Sequence, residues 1–154
     1  MLKTKYTVPF TTNYSDAPLI KLRQGDLEFY ALVDTGSEQT LIDSHFGGDM
    51  SDVQDGQKED ITIVGYSGPH TEGSHPIAKI KCMVIGNAEE YPVTITAELS
   101  DLSPVQGCFD RRTGGEVIMP MIIGSDTLIK NEAIIDFAQK SFSFYDKINE
   151  EKPV

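Results

Sequence analysis

Residues 91–98 alternate strictly, with Val93, Ile95 and Ala97 on one side of an extended chain and Thr94, Thr96 and Glu98 on the other. A period of two sends successive side chains to opposite faces, so the segment predicts a strand with one buried face. The pattern recurs over 77–85, where Ile80, Cys82 and Val84 share a face. Short runs rich in Val, Ile, Leu, Tyr and Phe, bounded by turn residues, predict further strands over 6–10, 18–22, 27–33, 40–43, 61–64, 121–123, 133–137 and 141–145. Arg23-Gln24-Gly25-Asp26, residues 86–90 and Gln139-Lys140 read as turns. The acidic stretch 47–60 and residues 100–115 lack an apolar period and read as loops, with Asp110, Arg111 and Arg112 as a solvated cluster. One helix is expected, with Ser125 as N-cap, Asp126 in its first turn, and Leu128 and Ile129 facing inward. The fold class is therefore all-β with one short helix in the C-terminal half. Leu32, Val33, Ile42, Ile63, Val84, Ile95, Ile123, Ile135 and Phe137 are its expected core.

The chain has 154 residues, the usual size of one domain, expected over 1–145 with a polar tail at 146–154. A net charge of −11, with 13 basic residues that form no run, argues against nucleic acid, whose phosphates need clustered Lys and Arg. No stretch reaches the roughly 18 apolar residues of a membrane span. The N-terminal residues carry no apolar segment of the signal-peptide kind, so a cytoplasmic location is expected. Cys82 and Cys108 fit that compartment as reduced thiols. With His45, His70 and His75 they show no metal-ligand spacing, and no metal or cofactor is expected.

The segment that carries chemistry is Ala31-Leu32-Val33-Asp34-Thr35-Gly36-Ser37. An apolar strand delivers a carboxylate and then turns, with Gly36 expected to take a backbone conformation that a side chain would forbid. A carboxylate fixed at a strand end by backbone N–H and hydroxyl groups is suited to polarise a water. Peptide hydrolysis by that route needs a second carboxylate sharing one proton with the first. The chain holds no second Asp-Thr-Gly, and a two-fold axis supplies the partner most simply.

Downstream of this segment come the strand Thr40-Leu41-Ile42, a glycine-rich hairpin about Gly65-Tyr66-Ser67-Gly68, and Ile122-Ile123-Gly124-Ser125-Asp126-Thr127-Leu128 leading into the helix. The ordered set resembles the retropepsin-like aspartic proteases, the family of retroviral and retrotransposon proteases and their cellular relatives. The resemblance runs from about residue 6 to residue 145. It implies a closed-barrel-like acid protease fold, active as a homodimer on a peptide or protein substrate, without metal. It makes Asp34 the catalytic carboxylate. Thr35 would brace its counterpart across the dyad, and Gly36 would open space beside the carboxylates and offer its carbonyl to substrate. Ser37, Gly65, Tyr66, Ser67 and Gly68 would contact the substrate, the last four from a flap over 63–77. Ile122-Ile123-Gly124 would support the Asp34 loop. The chain departs from many retroviral members in having Ser125 where they carry Arg, and in its long 100–115 segment. A catalytically silent dimerisation or peptide-binding module on the same fold is the alternative.

Overall fold

A computed structural model describes residues 3–46, 60–66 and 76–146 of the chain. The expected all-β architecture is present. β1 (Thr4–Pro9), β2 (Leu19–Gln24), β3 (Leu27–Val33), β4 (Leu41–Asp43), β5 (Ile61–Tyr66), β6 (Pro76–Ile85) and β7 (Glu90–Ser100) precede α1 (Ser103–Thr113). β8 (Met121–Ile123), α2 (Ser125–Lys130), β9 (Ile134–Asp136) and β10 (Ser141–Asp146) follow. In the larger sheet the order is β2-β3-β8-β4-β7-β6-β5, and a further β2–β6 pairing at Leu22↔Val84 and Arg23↔Met83 closes six of these strands into a barrel. A small sheet, β1-β10-β9, lies outside that ring.

The alternation read from the sequence determines what fills the barrel. Ala78, Ile80, Cys82 and Val84 of β6 and Ile95, Ala97 and Leu99 of β7 point inward, joined by Leu22, Phe29, Ala31, Val33 and Ile42. Each large side chain buried in this way contributes about 1.5–3 kcal/mol. The β2–β3 hairpin is tighter than residues 23–26 suggest. Gln24 pairs with Leu27, so the loop is Gly25-Asp26 alone, and Gly25 takes the positive φ of +60° that such a two-residue turn favours.

Several sequence expectations need correction. Residues 100–115 are not a loop: they contain α1, whose Phe109 packs with Leu19, Leu102, Val117, Met119 and Ile122 into a second apolar layer outside the barrel. Asp110, Arg111 and Arg112 are exposed residues of this helix. Ser125 is the first residue of α2 and not its cap; Gly124 stands at the cap position. The two leading amides of the helix, Ser125 N–H and Asp126 N–H, donate to the carbonyls of Ser37 and Glu38 at 2.7 and 3.2 Å, so a neighbouring loop satisfies groups that a cap side chain otherwise would. Leu128 packs on the core, whereas Ile129 is 76% exposed, because adjacent residues on a helix point about 100° apart. Phe137 is 60% exposed and only edges onto Phe10 across a 5.5 Å ring separation. Leu32 and Ile135 are half-buried. The side chain of Ile63, and the loop expected within 47–59, lie outside the described residues.

Candidate active site

β3 ends at Val33, and the next residue, Asp34, anchors its backbone on the neighbouring strand. β3 and β8 run parallel with Val33 opposite Ile123, and Asp34 N–H donates to Ile123 O at 2.9 Å. The chain then turns. Ser37 N–H donates to Asp34 O at 3.2 Å, and Gly36 N–H donates to the Asp34 carboxylate, Oδ1, at 2.9 Å. An N–H donated to a carboxylate is a charge-assisted hydrogen bond and holds the group in one orientation. Asp34 is half-buried while Thr35 and Gly36 are exposed, so this chain presents the motif on an open face.

The backbone conformation expected for Gly36 needs revision, because its φ is not positive. What favours glycine there is the space beside the carboxylate: a Cβ would stand 3.2 Å from Asp34 Oδ1 and crowd it. Ser37 donates its hydroxyl proton to Gln39 O at 2.7 Å, within the loop. Gly65 and Tyr66 end β5, opposite Ile77 and Pro76 of β6 and beyond a register shift between Ile63 and Gly65. They are therefore the last paired rungs of the hairpin; Ser67 and Gly68 at its tip lie outside the described residues.

The late motif grips the loop from the other side. Gly124 passes so close that a Cβ on it would lie 2.4 Å from Gln39 O and 2.7 Å from Ser37 O, which leaves room for no residue but glycine. Ser125 and Asp126 donate their amides to the Ser37 and Glu38 carbonyls. The Asp126 carboxylate then accepts from Thr40, at 2.7 Å from Oγ1 and 3.2 Å from N. The sequence marks Asp126 only as a helix-start charge and Thr40 only as the start of a short strand. The available signal is weak: a Thr just before one strand and an Asp just after another, which meet only if β4 and β8 pair.

The group in which three potential metal ligands converge, among the described residues, is Asp43, His45 and Asp101, with ligand atoms within 4.8 Å of one another. Its carboxylates hold the start of α1: Asp43 Oδ1 accepts Leu102 N–H, and Asp101 Oδ1 accepts both N–H and Oγ–H of Ser103. Those Ser103 bonds hold the Asp101 carboxyl below its ordinary range. Cys82 is buried, and desolvation, assisted by the charge of Asp60, pushes its thiol up to about 12. His70 and His75 lie outside the described residues. No helix among the described residues is long and apolar enough to cross a membrane.

A cavity of about 390 Å³ opens between α2, β7 and the β1–β10 sheet, and its walls include Ile123 and Asp126 but not Asp34, Thr35 or Gly36. Its lining is largely apolar, with Lys79, Asp126, Thr127 and Lys130 among the polar side chains.

No protein-family model and no curated protein matches the sequence. Among solved structures, the chain is similar to the retroviral protease-like domain of Ddi1 from Leishmania major, with 15% identity and a TM-score of 0.47 over 83% of this chain and 87% of that one. It is also similar to a retropepsin-like aspartic protease from Rickettsia conorii, with 11% identity and a TM-score of 0.46 over 94% of this chain and 92% of that one.

Proposed function

We propose that the chain is one half of a homodimeric aspartic endopeptidase. The observation that carries this reading is the oriented Asp34 carboxylate, held by Gly36 N–H at the end of a barrel strand and left on an open face beside exposed Thr35 and Gly36. A single carboxylate cannot act as base and acid in one step. Two Asp34 groups meeting on a two-fold axis cannot both ionise at close range, so one keeps its proton. The ionised member takes a proton from a water held between them as the water oxygen attacks the peptide carbonyl carbon. The protonated member gives its proton to the carbonyl oxygen. As the resulting diol collapses and its C–N bond breaks, the carboxyl that took the water's proton passes it to the leaving amine and the other carboxylate takes a proton back from a diol hydroxyl. No metal and no covalent intermediate enters this scheme. Thr35 would brace its counterpart across the axis, and the β5–β6 hairpin would close over the bound peptide.

The deciding experiment is cleavage of a peptide library, with and without a transition-state-type aspartic-protease inhibitor, alongside the mass in solution. Inhibitor-sensitive cleavage by a dimer, with a bell-shaped pH profile belonging to the pair, is expected. A dimer that binds peptides without cleaving them would sink the enzymatic reading in favour of a silent binding module, and a monomer with inhibitor-insensitive cleavage would sink the shared dyad.

A further inference from the structure

Thr40 is 1% exposed and is one of two buried polar side chains among the described residues, Ser143 being the other. A threonine hydroxyl offers one proton and two lone pairs, and here all three are used. The proton goes to Asp126 Oδ1 at 2.7 Å. One lone pair accepts Gly124 N–H at 3.1 Å. The other accepts the hydroxyl of Thr127 at 2.6 Å, which must be the donor because Thr40 has already spent its own proton. Thr40 N–H adds a second bond to the same carboxylate, at Oδ2. Asp126 Oδ1 also accepts Thr127 N–H at 2.7 Å.

This knot sits where it controls the loop that bears Asp34. Asp34 N–H is bonded to Ile123 O, and the residue after Ile123 is Gly124, the one whose amide ends on the Thr40 hydroxyl. Thr40 closes the far end of the same loop, whose Ser37 and Glu38 carbonyls take the first two amides of α2. A closed circuit results: Asp34, Ile123, Gly124, Thr40 and back along the loop. A buried hydroxyl with saturated bonding gives that circuit one low-energy arrangement, because any other would leave a donor or acceptor unpaired away from water.

We infer that Thr40 and Asp126 form a positioning pair that sets where the Asp34 carboxylate stands. The inference rests on Asp34 being the catalytic group. Neither residue touches the reacting atoms; each acts through the backbone of the loop and of Gly124. Displacement of a reacting group by about 1 Å can cost on the order of 100-fold in rate, so the pair should matter to turnover more than to binding.

The test compares Thr40→Val, which keeps the shape and removes the hydroxyl, with Thr40→Ser, which keeps the hydroxyl, at equal dimer fraction. Thr40→Val is expected to lower kcat by about 10- to 100-fold with KM changed by less than about 3-fold, and Thr40→Ser to stay within about 3-fold of the parent. Amide exchange supplies a readout independent of catalysis. The amides of Asp34, Ser37, Gly124 and Ser125 should exchange faster in Thr40→Val, while those of the β6–β7 ladder keep their protection. Equal kcat losses in the two variants, a rise confined to KM, or exchange that quickens everywhere or nowhere would overturn the pair. If Thr40→Val does not fold, Asp126→Asn takes its place. Its Oδ1 still accepts the Thr40 hydroxyl while its Nδ2 confronts Thr40 N–H, so the same local exchange pattern with a smaller kcat loss is expected. A parent protein that cleaves nothing would remove the protease reading alone. The exchange pattern would still decide whether the pair locks the loop.

Discussion

The carbonyl of Ile123 accepts the amide of Asp34 at 2.9 Å, joining two segments far apart in the chain at the point where Asp34 leaves the barrel wall. β3 and β8 pair in parallel up to that point, and beyond it the Asp34 loop and the start of α2 hold each other through the bonds of Ser125, Asp126 and Gly124. The candidate site is thus a product of strand pairing, and its sensitivity to substitution follows from where those bonds lie.

Replacing Asp34 with Asn keeps the size of the side chain and an acceptor for Gly36 N–H but removes the ionisable group from both halves of the dyad. Cleavage should fall by about 10²–10⁴-fold, with folding and dimer mass unchanged. Steady-state rates on an active-site-titrated preparation check this. A variant that turns over near the parent rate removes Asp34 from the mechanism.

Specific activity should fall as the protein is diluted, since each chain carries half of the site. Two chains of net charge −11 repel, and the Debye length near physiological ionic strength is about 8 Å. Added salt should therefore shift the midpoint of the dilution curve to lower protein concentration. Activity and sedimentation, followed across several decades of concentration at two salt levels, test both statements. Constant specific activity from a monomer would contradict the two-fold site.

Gly124→Ala forces a Cβ to within 2.4 Å of Gln39 O, a backbone atom that cannot turn aside. Overpacking of this kind costs about 1–3 kcal/mol or more, and about 3 kcal/mol in a chain of this length lowers Tm by roughly 6–12 °C. Calorimetry on the variant is the check. An unchanged Tm would mean that the late motif does not press on the loop.

The two thiols should behave differently. Cys108 is exposed and Cys82 is buried, so a thiol reagent at neutral pH should label one group per chain quickly and the second only on unfolding. The raised pKa of Cys82, about 12 against an ordinary 9.0, also carries a sign for stability. The folded chain keeps this thiol neutral where the unfolded chain ionises it, so its contribution is intact below about pH 9 and is lost as pH rises toward 12. Between those limits Tm should fall more steeply for the parent than for Cys82→Ala. Parallel slopes would show that Cys82 does not titrate differently in the two states.

Local chemistry made the strands legible. The two-residue period of β6 and β7, and the apolar run that ends at Asp34, depend only on which face of an extended chain is buried, a property each segment carries by itself. Asp-Thr-Gly and the late Ile-Gly-Ser-Asp were visible for the same reason. α1 was not, because Val105 and Phe109 are nearly its whole apolar face; Pro104 at its start, Arg111 and Arg112 in its last turn and Gly114 in the left-handed conformation after it were the cues that composition concealed. The bonds of Thr40 and Asp126 lay beyond any local pattern. A hydroxyl and a carboxylate far apart in sequence acquire meaning only when antiparallel pairing of β4 with β8 brings them within 2.7 Å and burial of Thr40 removes the water that would otherwise satisfy its hydroxyl. Sequence determined which residues could bear the chemistry; the tertiary structure decided, through long-range pairing and desolvation, which others hold them in place.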